Sequence, residues 1–253
     1  MPPTPCFGLA CLPILSWIAV GVLPSTRPST WLAPVLPLAG QQSERLDVGS
    51  FTLFINGQRA GREQFSMQRV AAADGPTLEL RAESAIGDRR AAVRLETDSV
   101  GTPFRYSVEE RTGATVTLRL GGQRVRGRFA TLARGTSGEA AREYLLAPGA
   151  LVLEDDGVLQ YALLVRRGPL AIHDSIIIPV LTPIANRQGT VRLTLLDASD
   201  TVVIAGSRRV AQRWQATTSL GEARFIWADA EGRLLRVQIP SRGFNALRDD
   251  VPR

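Results

Sequence analysis

The chain has 253 residues, 44% of them hydrophobic and 21% charged, with 23 glycines and 16 prolines. That composition excludes a disordered or collagen-like chain and is enough for a sizeable core. All 30 basic residues are arginine, set against 24 acids for a net charge of +6. Codon bias explains so uniform a choice as readily as polyanion binding, so the charge names no partner.

From Met1 to Gln42 there is no acid, and Arg27 is the one cationic side chain. Cys6–Leu23 is a continuous apolar run, and a second apolar patch, Trp31–Ala39, follows a Pro/Ser/Thr spacer. The run matches the core of a secretory signal, with small residues for cleavage at Ala19-Val20-Gly21 or at Gly40. It lacks the usual cations ahead of it, and its length is close to the shortest that spans a bilayer. Residues 1–41 are therefore expected to be a signal peptide or N-terminal anchor with a Pro/Ser linker. Cys11, after Gly8-Leu9-Ala10, only faintly matches a lipoprotein box. Location is expected to be periplasmic or extracellular, with membrane contact only through an uncleaved N-terminal segment. Both cysteines, Cys6 and Cys11, lie in this segment. Its removal leaves no disulfide scaffold, thiol nucleophile or cysteine-ligated metal site.

Residues 48–248 are expected to form a single antiparallel β domain. Leu78, Leu80 and Ala82 alternate with charged residues, as do Ala91, Val93 and Leu95, then Phe104, Tyr106 and Val108. Val116, Leu118 and Leu120 follow, then Val125, Gly127 and Phe129. Each run gives one face to a core and the other to water. Asn56-Gly57 and Gly121-Gly122 predict two-residue hairpin turns, and Asp74-Gly75-Pro76, Gly101 and Thr112-Gly113 mark further corners. Val191, Leu193 and Leu195 make a later strand, Val210–Trp214 another, and Ala223–Ala228 with Leu234–Ile239 a final hairpin.

One segment breaks the period. Asp155-Asp156, an apolar stretch from Val158 to Val165, Arg166-Arg167 and Gly168-Pro169 together predict a short helix over Asp156–Arg167. Such a helix is apolar nearly all round and has to be buried; a buried strand is the alternative. The predicted fold is mainly β: a strongly curved antiparallel sheet, a half-barrel or open barrel, wrapping one short buried helix.

Phe51-Thr52-Leu53-Phe54-Ile55-Asn56-Gly57, Ala60-Gly61-Arg62-Glu63-Gln64-Phe65, Asp98-Ser99-Val100-Gly101-Thr102-Pro103 and Ile226–Val237 resemble a group of exported bacterial families of unknown function. In these a curved sheet half-encloses a helix, as in lipoprotein carriers of the LolA/LolB type. The resemblance implies an envelope setting and an apolar ligand groove. It supplies no catalytic residues.

Candidate chemistry is sparse. His173 is the single histidine, and although Asp174 and Ser175 follow it, adjacent residues do not form a triad and no Gly-x-Ser-x-Gly turn occurs. Multi-histidine zinc sites are excluded; an all-carboxylate calcium site using Asp155-Asp156 stays open, against their simpler role as helix-start acids. Glu109-Glu110 and Asp155-Asp156 read as solvated acids, because glycoside hydrolysis needs carboxylates facing each other across a cleft. No phosphate loop or other cofactor motif is present, so no cofactor is expected.

Arg124, Arg126 and Arg128, with Arg119 opposite Arg124 across the predicted Gly-Gly turn, form a candidate polyanion patch. Without interleaved aromatics it does not suit nucleic acid. Tyr106, Tyr161, Trp214, Phe225 and Trp227 belong to the core, or line a groove if the sheet leaves a gap beside the helix. The preferred reading is an exported, non-enzymatic carrier or binding domain for an apolar small molecule or lipid, or for an envelope protein. A structural module with a filled core is the alternative. A hydrolase is third, and acids from different strands meeting in one pocket would speak for it.

Overall fold

The alternation is realised as strands from the first described residue. The computed structural model describes residues 43–72, 75–167 and 171–252, which belong to one compact unit, Ala39–Arg253. The Cys6–Leu23 run, both cysteines, the cleavage candidates and the Gly168-Pro169 pair lie outside the described residues.

The first strands are β1 (Ser43–Ile55), β2 (Gln58–Val70), β3 (Thr77–Ile86), β4 (Arg89–Asp98), β5 (Pro103–Thr112), β6 (Thr115–Val125), β7 (Arg128–Gly135) and β8 (Gly138–Leu145). They are followed by β9 (Leu151–Val152) and α1 (Tyr161–Val165). The rest are β10 (Ser175–Thr182), β11 (Arg187–Ile204), β12 (Ser207–Thr218), β13 (Ala223–Ala228), β14 (Leu234–Ile239) and β15 (Phe244–Arg248). The first strand thus starts at Ser43, ahead of Val48.

All fifteen strands form one sheet, ordered β8-β7-β6-β5-β4-β3-β2-β1-β15-β14-β13-β12-β11-β10-β9. Every pairing is antiparallel except β9 with β10. The chain meanders from β1 out to β8, passes to the far edge at β9, runs through the α1 segment as the crossover from β9 to its parallel neighbour β10, and meanders back until β15 pairs with β1. The sheet is curved and does not close in its ladder. Side chains bridge the two edge regions: the Tyr144 hydroxyl donates to Asn186 Oδ1 at 3.0 Å, and Gln188 Nε2 to the Leu145 carbonyl at 2.8 Å.

The turns follow the chemistry of positive φ. Asn56-Gly57 has φ of 51° and 79°, as a primed turn requires. Gly121-Gly122 does not turn. Both glycines are mid-strand in β6, Gly121 paired with Ser107 and Leu132, and Gly122 with Tyr106 and Thr131. The hairpin comes at Arg126-Gly127, with φ of 48° and 76°. Gly122 is small for packing, since a Cβ there would lie 2.6 Å from the Phe129 ring.

The concave face carries one core from Phe51, Leu53, Met67, Leu80 and Leu95 round to Val191, Leu193, Trp214, Ile226 and Val237. All five residues of α1 are buried against it, as the apolar segment predicted; the alternative of a strand here is overturned. The helix is shorter than Asp156–Arg167 and has no acid in its first turn. A second apolar cluster, Val202, Ile204, Ala211, Trp227 and Leu235, includes side chains of β13 and β14 that point away from the main core. Register shifts around Asp197 interrupt the β11–β12 ladder between the parts of β11 that serve the two clusters.

The join between the two meanders is held by charge as well as by ladder. Arg248 on β15 is fully buried and donates to both oxygens of Asp47 on β1, at 2.8 and 2.7 Å. Bidentate geometry of this kind is what lets a buried pair offset its desolvation.

Candidate functional site

The helix segment does not fill the trough. Between the residue 154–160 segment that leads into it and β3, β4 and β5 lies a cavity of about 280 Å³. Its walls are the inward residues of those strands: Leu80, Ala82, Ala91, Val93, Leu95 and Val108. Because side chains alternate, inward polar residues on the same strands reach it too. Glu63 of β2 shares the phase of Phe65 and Met67, Arg89 that of Ala91 and Val93, and Glu110 that of Tyr106 and Val108.

Glu63 is 1% exposed and accepts the backbone amides of Val158 at 3.2 Å and Leu159 at 2.9 Å. It therefore docks the turn that leads into α1. Burial drives its pKa up to about 7, against the downward pull of the two amides.

Glu154 follows β9, where Leu153 extends the ladder by donating to the Leu181 carbonyl. It is 4% exposed. One oxygen accepts the Ile184 amide at 2.9 Å, and its own amide donates to Gln160 Oε1 at 2.6 Å. Burial raises its pKa to about 8; the Ile184 amide and the nearby Tyr106 hydroxyl oppose this, while the charges of Asp155 and Glu110 add to it. The buried Tyr106 hydroxyl lies close to Glu154 and Gln160 but makes no hydrogen bond of good geometry among the described residues, and burial, then the Glu154 charge, raises its pKa well above the usual value.

The mouth is ionic. Arg89 spans Glu110 at 2.8 Å and Asp156 at 2.9 Å. Asp155 gathers Arg187 at 2.5 Å, Arg224 at 2.9 Å and Arg242 at 3.4 Å. Burial would raise the Asp155 carboxyl, but these arginines hold it below its ordinary value. Arg224, an inward residue of β13, also bonds Glu222 at 2.6 Å and the Tyr161 hydroxyl at 2.7 Å. Burial pushes Glu222 up, yet the bonds from Arg242 and Arg224 prevail and bring it to about 2. A second, more polar cavity of about 270 Å³ shares Asp155 and Arg242 with the first.

This geometry corrects the reading of the paired acids. Asp155 and Asp156 are arginine partners rather than helix-start acids, and Glu110 faces the cavity rather than open solvent. Among the described residues no group of three or more His, Cys, Asp or Glu is placed to hold a metal ion.

Of the five aromatics expected in a groove, Tyr106 lines the cavity. Tyr161 is buried in α1 with its hydroxyl on Arg224, and Trp214 is buried in the main core. Phe225 and Trp227 point to the opposite face of β13, where Trp227 Nε1 donates to Asp200 at 2.9 Å. The four arginines do not make one stripe, because the turn is not at Gly121-Gly122. Arg119 bonds Glu109 at 2.8 Å, Arg124 lies 4.1 Å over the Phe104 ring, Arg126 is in the turn, and Arg128 is 3.6 Å from Glu143. His173 is exposed at φ 72° in the approach to β10.

Glu63, Arg89, Glu154 and Gln160 were not singled out by the sequence reading. The signal for Glu63 was present: an acid in the apolar phase of Glu63, Phe65 and Met67.

No family model and no curated protein matches the chain. Among solved structures, it is similar to the β-barrel-like protein of domain of unknown function DUF1849 from Brucella abortus. The TM-score is 0.50 at 10% identity, with 81% of this chain and 95% of that one covered. It is also similar to a DUF1089 family protein from Pseudomonas aeruginosa, at TM-score 0.39 and 14% identity, covering 86% and 98%. The likeness to the Brucella protein is one of fold: a β-barrel-like domain of unknown function.

Proposed function

We propose that the chain is an exported, non-enzymatic domain that binds a small apolar ligand in the cavity between β3–β5 and the α1 segment. One observation carries this reading: the trough side of three strands is apolar, yet the segment leading into α1 leaves about 280 Å³ of it uncovered. That volume is just under the ~300–1,000 Å³ usual for small-molecule sites, so the ligand is smaller than a diacyl lipid. The resemblance to LolA/LolB-type carriers supports the same class of function, and the Cys6–Leu23 run supports export.

The test is titration with the neutral fluorophore N-phenyl-1-naphthylamine, using wild type and Ala91→Phe, whose ring projects into the cavity. The expected result is saturable fluorescence enhancement in the wild type that is lost in a folded Ala91→Phe variant. Enhancement that does not saturate, or that survives the substitution, overturns the reading.

A hydrolase is the second reading, favoured because Glu63, Glu110 and Glu154 come from separate elements to one pocket. Two features weigh against it. Glu63 commits both oxygens to backbone amides, and Glu110 is tied to Arg89. Glu154 is then without a second free carboxylate to complete an acid–base pair.

A further inference from the structure

The charges around the cavity are unevenly matched. Five acids line it, Glu63, Glu110, Glu154, Asp155 and Asp156, against two cations, Arg89 and Arg242. Both arginines are committed: Arg89 to Glu110 and Asp156, Arg242 to Glu222 at 2.7 Å and to Asp155. The Glu63 carboxylate is occupied by two amides. Glu154 has one oxygen on Ile184 and, among the described residues, no cation. Beside it the buried Tyr106 hydroxyl lies near Glu154 and Gln160 without a hydrogen bond of good geometry among the described residues, so its acceptor oxygen is left for something that enters the cavity.

We propose that the ligand is a small amphiphilic amine, its ammonium seated between the Glu154 carboxyl and the Tyr106 hydroxyl and its apolar body against Leu80, Val93, Leu95 and Val108. This rests on the ligand-binding reading above and specifies its chemistry. An ammonium has several N–H donors, enough for the open carboxyl oxygen and the phenol oxygen together. A neutral alcohol can donate to Glu154 and accept from Tyr106 but brings no charge to offset the carboxylate, and a carboxylate head would meet acids with no free arginine to receive it.

The experiment displaces N-phenyl-1-naphthylamine with three ligands of one chain length, 1-octylamine, 1-octanol and octanoate, at about pH 8. A charge-assisted hydrogen bond contributes ~1.5–3 kcal/mol, so the amine is expected to compete about tenfold or more better than the alcohol, with octanoate weakest. Glu154→Gln is expected to keep fluorophore binding and lose the amine preference. Equal competition by the three ligands, or an unchanged preference in Glu154→Gln, overturns the proposal while leaving the cavity reading intact. Absence of fluorophore binding in the wild type removes both.

Discussion

Replacing Glu154 with glutamine tests whether this carboxyl is as buried as the structure places it. Its pKa is about 8 in the folded protein against an ordinary value of 4.5. Below about pH 4.5 both states hold the proton and the group is neutral in its effect. As pH rises from there, the unfolded chain releases the proton while the folded protein keeps it, so stability falls until about pH 8 and then levels. Each pH unit in that window costs up to ~1.4 kcal/mol, which accumulates to something on the order of 5 kcal/mol. Glutamine keeps an oxygen for the Ile184 amide and does not ionise. The expected result is near-equal stability of wild type and variant at pH 5, and a variant several kcal/mol more stable at pH 8.5. Urea midpoints at fixed m-value at the two pH values measure this directly. Glu63, with a pKa of about 7, lowers both proteins over a similar window, so the difference between them isolates Glu154. Parallel curves for the two proteins would refute the reasoning.

Two further outcomes follow from the packing. Arg248→Met leaves the Asp47 carboxylate buried without its partner and is expected to cost about 3–5 kcal/mol, most of it recovered in the Asp47→Leu/Arg248→Met double variant; a single variant within about 1 kcal/mol of wild type in urea would contradict this. Gly61→Ala places a Cβ 1.9 Å from the Ala85 carbonyl oxygen, so β2 has to move off β3 at a cost of about 1–3 kcal/mol, and an unchanged melting temperature would count against it.

The alternation made the strands legible because one face of each is buried and the other is wet. The final hairpin, Ala223–Ala228 with Leu234–Ile239, has the bounds expected of it. What misled was residue type read without phase. Gly121-Gly122 resembles a turn, yet Leu118, Leu120 and Gly122 keep one phase straight through it, and the glycine makes room for Phe129. Asp155-Asp156 resemble a helix start, but the arginines that claim them lie at positions 89, 187, 224 and 242, too distant in sequence for any local pattern to indicate. Glu63 was visible as an acid out of place on an inward phase. Glu154 was not, because its burial depends on where the crossover from β9 to α1 passes over β5.

The pairing of β1 with β15 places the first and the last described strands side by side at the middle of the sheet rather than at its rim. During synthesis, β1 to β8 can assemble as a local meander, but one side of β1 stays open until Phe244–Arg248 has emerged. The Asp47–Arg248 contact spans 201 positions, and its loop-closure entropy is met only then. Until that moment the nascent protein shows unpaired strand edges, the surfaces most prone to joining another chain. Losing the last strand would not trim an edge. It would remove the ladder between the eight-stranded half ending in β1 and the half beginning at β14, cutting the sheet at its centre.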